Sequence, residues 1–394
     1  MKIFACVLCL LISLRCPAQL FSFNQGGTVQ KDFYVEIPYE SENGKIFIRA
    51  EIAGKQHRFL FDTGAPVSIS KALAAELNSK TLTKILLGDA FSHHDSTAIV
   101  EVNDLKLGEL LFDHVPAICG QPDFFDCYHI DGAIGSNLLR NCIVSIAPDR
   151  QVIIVTDQKE KLNLKSKNSK PLITTIGLQS SPFISILLKG KRDVEVSIEF
   201  DTGDKEFFRL EDRLMNMLAK YAVFDTLASG FGADKMSVFG LQDKGKKYLL
   251  KVAPITICNG TFTNLVIESN PNAQPSIGSG LLNYGTVTLD FIHHKFYFDA
   301  RQPLNDLAEK HWPFGTVFIN NKLLIGVVYP KAAGQLVSGD QIIAVDDRDL
   351  SHLQLCDLIN SRPIADGKET VVLTLKDAQG GIKKVMVKKE YIDN

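Results

Sequence analysis

Two copies of a β-rich unit, followed by a smaller α+β domain, account for most of this 394-residue chain. Three observations predict this mainly β organisation. Phe-Asp-Thr-Gly occurs twice, at Phe61–Gly64 and again at Phe200–Gly203. Each copy lies in a matched setting of alternating apolar residues, the pattern of half-buried strands. After Phe298 the pattern changes to a strand pair, a glycine-rich turn, a short helix and two closing strands.

The chain opens with Lys2, an apolar run from Ile3 to Leu14, and then Cys16-Pro17-Ala18-Gln19. This is the charged start, short apolar core and small-residue end of a secretory signal peptide over residues 1–18, with cleavage expected after Ala18. The apolar run is shorter than the ~20 residues of a membrane span, and no later segment reads as transmembrane. Export to a periplasmic or extracellular space follows. Lipidation at Cys16 is the less favoured alternative, because Arg15 stands where a small residue is usual. A formal charge of −2 argues against nucleic acid as the main partner.

Five cysteines follow the expected cleavage point: Cys119, Cys127, Cys142, Cys258 and Cys356. An odd number excludes a complete disulfide framework. Cys119 and Cys127 flank a short loop and are the candidate pair in an oxidising compartment; buried free thiols are the alternative. No cysteine–histidine spacing suggests zinc. His93-His94 and His293-His294 are adjacent pairs, which on a strand point to opposite faces. No metal or other cofactor is expected.

The two units match element by element. Phe47-Ile48 and Phe183-Ile184 begin one strand, and Gly54-Lys55 and Gly190-Lys191 turn it back. The returning strand of the second copy carries Val194, Val196, Ile198 and Phe200 on one face and delivers Asp201 at its end. Downstream stand Asp131-Gly132-Ala133-Ile134-Gly135-Ser136 and Ser276-Ile277-Gly278-Ser279, at nearly the same distance from their aspartates. Each copy ends in further alternation, at Cys142–Val155 and Thr286–Phe298. Short helices are expected at Lys71–Asn78, Glu211–Ala219, Leu138-Leu139 and Leu281-Leu282. The units are bounded at 19–160 and 161–300, with Lys159–Lys170 as a solvated link.

One Asp-Thr-Gly is an ordinary turn. Two in a matched repeat place Asp62 and Asp201 face to face across a pseudo-twofold axis. Two carboxylates about 3 Å apart cannot both ionise and share one proton. One then serves as base toward a water molecule and the other as acid toward a carbonyl. That pair hydrolyses a peptide bond without a metal.

On these residues the chain resembles the aspartic peptidases, specifically the bacterial retropepsin-like type with two lobes in one chain. The resemblance implies two acid-protease β-barrel lobes, with Asp62 and Asp201 as the catalytic dyad and a peptide or protein as substrate. It implies that Thr63 and Thr202 brace the two loops reciprocally, that Gly64 and Gly203 shape the floor, and that Ala65 and Asp204 follow them. Ile134-Gly135 and Ile277-Gly278 thread behind the loops, with Ser276 in one apolar place. Flap hairpins are expected at Leu86–Glu101, with Gly88, Asp89 and His93-His94 near the tip, and at Gly230–Lys247. Both aspartates lie in one chain, so a monomer suffices for activity. The family carries alanine or serine where Asp204 stands. A carboxylate turned inward there raises the pKa values of the dyad, which keeps an inactive, peptide-binding cleft as the competing reading.

Residues 312–391 are similar to a PDZ domain, on Ala332-Ala333-Gly334-Gln335-Leu336 and Gly339-Asp340-Gln341-Ile342. Strands are expected at Thr316–Ile319, Leu323–Tyr329, Thr370–Leu375 and Lys383–Lys388, with a helix around His352–Asn360. Arg301–Lys310 reads as a polar connecting segment. The resemblance implies that Phe314, Gly315 and Thr316 form a loop that holds a peptide carboxylate, beside a strand that accepts the peptide. Pro313 removes one donor from that loop. The domain either tethers substrate, regulates access, or packs on the lobes as a brace.

Overall fold

The computed structural model describes residues 21–88, 94–122, 124–233, 236–237, 240–241, 243–270, 274–361 and 365–392. The expected leader lies outside them. The protein is mainly β, with two β lobes and a C-terminal α+β unit.

In the first lobe, Tyr34–Glu42, Lys45–Ile52 and Lys55–Asp62 form an antiparallel meander. Ala53 and Gly54, both at positive φ, make the tight turn between the last two. Ile48, Ala50 and Ile52 point into the core. The meander's last strand runs parallel to Gly132–Gly135, with Gly135 opposite Asp62. The second lobe repeats this. Phe183–Leu188 and Val194–Asp201 form a hairpin, and the latter runs parallel to Ser276–Gly278, with Gly278 opposite Asp201.

The lobes share a sheet. Ile143–Ala147 of the first pairs antiparallel with Gly285–Asp290 of the second. At the joint, Thr288 and Ser145 lie opposite each other and their buried hydroxyls hydrogen bond at 2.8 Å. One apolar core runs through both lobes, from Phe33 to Phe298, and includes Phe61, Ile134, Phe200 and Ile277. Fully buried apolar strands of this kind favour a fixed register, because a slip by one residue would invert every side chain.

Short helices form at Lys71–Glu76, Ser136–Leu139 and Asp212–Leu218, with a 3₁₀ turn at Ser279–Tyr284. Two hairpins project from the lobes. One pairs Thr81–Gly88 with His94–Val102, and its expected tip at 89–93 falls outside the described residues. The other pairs Phe224–Gly232 with Gly245–Val252.

The C-terminal unit has its own core, built from residues between Leu323 and Val387. Its strands are Phe314–Ile319, Lys322–Val328, Gln341–Val345, Thr370–Lys376 and Ile382–Lys388, with a helix at Leu355–Asn360. Its sheet continues into the second lobe, where Phe231 pairs with Val328.

Three expectations are corrected. The polar segment Arg301–Lys310 is not only a connection: Leu304–Asp306 forms a strand parallel to Gly260–Thr263, which satisfies backbone groups at that edge. Phe314, Gly315 and Thr316 are not an open loop. They lie in a strand paired with Lys322–Val328, with a bulge between Gly315 and Thr316, and Phe314 packs on Trp312. The disulfide joins Cys127 to Cys356, and Cys119 is free. Cys119 is held in the strand Val115–Cys119, whereas Cys127 ends the helix Phe124–Cys127, which packs against Leu355–Asn360.

Candidate active site

Each Asp-Thr-Gly loop follows a strand whose partner threads behind it, so both aspartates leave the sheet at the same level. The threonines fasten the loops together. The backbone N–H of Thr63 donates to Oγ1 of Thr202 at 3.0 Å, and that of Thr202 to Oγ1 of Thr63 at 3.1 Å. Each hydroxyl then donates across the lobes, Thr63 to the Phe200 carbonyl at 2.6 Å and Thr202 to the Phe61 carbonyl at 2.8 Å. Both threonines are fully buried.

The glycines are there for space. A Cβ on Gly64 would stand 2.5 Å from Cγ of Asp201, and one on Gly203 would stand 2.4 Å from Oδ2 of Asp62. Their N–H groups donate to the aspartate of their own loop, Gly64 to Asp62 at 3.0 Å and Gly203 to Asp201 at 2.8 Å. Behind the loops, a Cβ on Gly135 would meet the Ala65 carbonyl oxygen at 2.1 Å, and one on Gly278 would meet that of Asp204 at 2.4 Å. Ile134 and Ile277 are fully buried.

The structure brings Asp62 and Asp201 together, with their side chains hydrogen-bonded. Burial raises Asp62 above the usual aspartate range, while Lys45 and the bond to Asp201 pull it back. Asp201 stands well above that range. Burial is the main cause, and the charges of Asp62, Glu199 and Asp204 add to it. The two carboxyls therefore differ in a defined direction: Asp201 holds the proton more firmly.

Asp204 is neither turned to solvent nor left unpaired. Its buried carboxylate accepts from Arg209 at 2.7 Å, from the Ser276 hydroxyl at 3.0 Å and from the Glu206 N–H at 3.2 Å. Ala65 and Ala133 hold the matching places in the first lobe. These two polar departures of the second copy thus form one hydrogen-bonded pair.

Several residues here were not foreseen. Lys45 reaches from the first lobe to the carbonyl of Gly203, and Gln179 reaches from the second lobe to the carbonyl of Gly64 at 2.9 Å. Ser279 donates to the Gly44 carbonyl at 2.5 Å, and Ser136 to that of Gln179 at 3.0 Å. The loops are cross-braced in both directions, by an ammonium on one side and a neutral amide on the other. Glu199 is buried on the strand that carries Asp201, and its carboxyl is pushed up to about 8, first by burial, with Asp62 adding to the shift. Strand alternation gave no sign of it, because Glu199 falls on the polar face of Val194–Asp201 and reads as solvent-facing. Arg209 lies outside any repeated motif.

Of the other expected site residues, Phe314, Gly315 and Thr316 lie in the C-terminal unit and take no part in this cluster. Among the described residues no group of three or more His, Cys, Asp or Glu side chains could hold a metal ion, and no helix is long and apolar enough to cross a membrane.

Comparison with known proteins gives weak structural likenesses. The basic 7S globulin of soybean is similar at 12% identity and a TM-score of 0.38, over 68% of this chain and 94% of that one. Conglutin gamma of lupine seeds gives 12% and 0.37, over 69% and 96%. A retropepsin-like aspartic protease from Rickettsia conorii gives 19% and 0.25, over 31% and 91%. No curated protein sequence matches the chain. The model of an aspartyl protease family matches residues 48–138, the stretch that holds the first Asp-Thr-Gly loop and the strand threaded behind it.

Proposed function

We propose that this chain is an exported aspartic endopeptidase that works as a monomer on peptide or protein substrates. The observation that carries the reading is the reciprocal lock of Thr63 and Thr202, which sets the carboxyls of Asp62 and Asp201 in hydrogen-bond contact. The match of residues 48–138 to an aspartyl protease family supports the same activity.

In this reading Asp62, drawn toward ionisation by Lys45, takes a proton from a water molecule whose oxygen attacks the scissile carbonyl carbon. Asp201 gives its proton to the carbonyl oxygen. The gem-diol then collapses: Asp62 returns a proton to the leaving nitrogen, the C–N bond breaks, and a hydroxyl of the diol reprotonates Asp201. One water is consumed and the dyad ends as it began. Arg209 and Ser276 hold the extra carboxylate by hydrogen bonds, so it stands near the dyad as a paired group whose charge adds to the raised pKa of Asp201.

Export is supported by the leader pattern and by the Cys127–Cys356 bond, which suits an oxidising compartment. The C-terminal unit reads as PDZ-like. Among the described residues its strand Phe314–Ile319 pairs on one side only, which leaves an edge for an added peptide strand. Pro313 offers no N–H at the start of this strand, and its carbonyl accepts from the Tyr329 N–H at 3.0 Å.

The test is cleavage of a random peptide library from acidic to neutral pH by the purified protein, beside Asp62→Asn and Asp201→Asn. Each variant is expected to lose ~10²–10⁴-fold. Equal activity in all three proteins would overturn the peptidase reading, and loss in only one variant would overturn the shared dyad.

A further inference from the structure

The floors under the two aspartates differ in kind. Under Asp62, Leu60 lies opposite Ala133 and packs with Phe47, Phe125 and Ile130. Under Asp201, the same two places hold Glu199 and Ser276, which are 6% and 1% exposed. The first lobe shows that the repeat folds with apolar residues there. A buried carboxyl at such a site costs stability unless it is protonated or hydrogen-bonded.

Glu199 has a partner that leads back to the dyad. Burial raises its carboxyl, and the Ser181 side chain draws it back. Oγ of Ser181 accepts from Nε2 of Gln179 at 2.9 Å, and the same amide donates to the carbonyl of Gly64 at 2.9 Å. Ser181 and Gln179 therefore connect the surroundings of Glu199 to the loop that carries Asp62. The charged groups around this connection come from both lobes. They are Asp62 and Lys45 from the first, Asp201 on the strand of Glu199 itself, and Asp204 with its partner Arg209 from the following loop.

We propose that Glu199 is a positioning residue for the dyad, a third buried carboxyl that extends proton sharing between Asp62 and Asp201 to higher pH and braces the Gly64 loop through Ser181 and Gln179. The functional weight of this proposal rests on the peptidase reading. The direction follows from charge. Once Glu199 ionises, its negative charge opposes loss of the shared proton from Asp201, so that proton stays on the dyad to higher pH.

Two measurements on the purified protein separate this proposal from the reading beneath it. Carbon-13 NMR of labelled aspartate carboxyls, with Asp201 identified by Asp201→Asn, follows the dyad without any substrate. In Glu199→Gln the Asp201 midpoint is expected to fall by about one pH unit. Glu199→Leu, which installs the first-lobe residue, should give the same fall and guards against a folding artefact of either variant. An unchanged midpoint in both variants overturns the proposal. In the pH profile of kcat/KM on a cleaved peptide, the alkaline limb should move down by a similar amount while the acid limb stays. A uniform drop at every pH, the signature of a merely structural role, also overturns it. A midpoint that falls in both variants, beside a wild-type protein that cleaves nothing, upholds the proton coupling and overturns the peptidase reading instead.

Discussion

Ala65 and Asp204 occupy the same place in their loops, and Ala133 and Ser276 the same place in the strands behind them. The second lobe has changed both, and the new side chains meet at 3.0 Å. Arg209, with its side chain 16% exposed, balances the charge. This arrangement predicts strong coupling. Asp204→Ala alone leaves a nearly buried guanidinium unpaired and should cost about 3–5 kcal/mol. Ser276→Ala alone should cost about 1–2 kcal/mol, and the double variant clearly less than the sum. Urea unfolding of the four proteins measures this, and strict additivity would show that the pair does not act as a unit. The cluster is also where one sequence permits two opposite expectations. Asp204 alone is a carboxylate too close to a dyad. Arg209 in the same loop and Ser276, 72 residues further on, make it a paired one, and no motif marks their pairing with it.

Strand pairing explains what the sequence disclosed and what it hid. The doubled Asp-Thr-Gly, the alternation around it and the threaded Ile-Gly segments are local patterns, so both lobes and the core of the site were legible. Lys45, Gln179 and the helix partner of Cys127 act between elements far apart in the chain, and no local period marks them. The strand expected from Thr316 begins two residues earlier, at Phe314, because its pairing with Lys322–Val328 depends on tertiary context more than on turn residues. The threaded strands carry their own prediction. A methyl group at Gly278 would lie 2.3 Å from the Glu206 carbonyl oxygen, and the loop would have to move. Gly278→Ala should cost about 1–3 kcal/mol, and peptide cleavage should fall at least tenfold even where the protein remains folded by circular dichroism. Full activity in a folded Gly278→Ala protein would show that the loop tolerates displacement.

At the scale of the molecule, the C-terminal unit is fastened to both lobes. The Cys127–Cys356 bond holds it to the first, with support from Asn360 to the Cys127 carbonyl at 3.0 Å and from Asn43 to the Ile359 carbonyl at 2.6 Å. Sheet pairing at Phe231 and Val328 holds it to the second, with Tyr329 bonded to Glu268. A cross-link over 229 residues removes much chain freedom from the unfolded state, about 5 kcal/mol in the entropic account. Cys356→Ser should therefore lower the midpoint of thermal unfolding by several degrees, and adding reductant to the wild type should lower it by as much. No change in either would show that the bridge is not formed in the folded protein. The same bond makes a ring that contains the whole second lobe. A nick in the lysine-rich link at 159–170 would leave one covalent molecule. During synthesis Cys127 emerges long before its partner, so the ring can close only around a second lobe that is already complete.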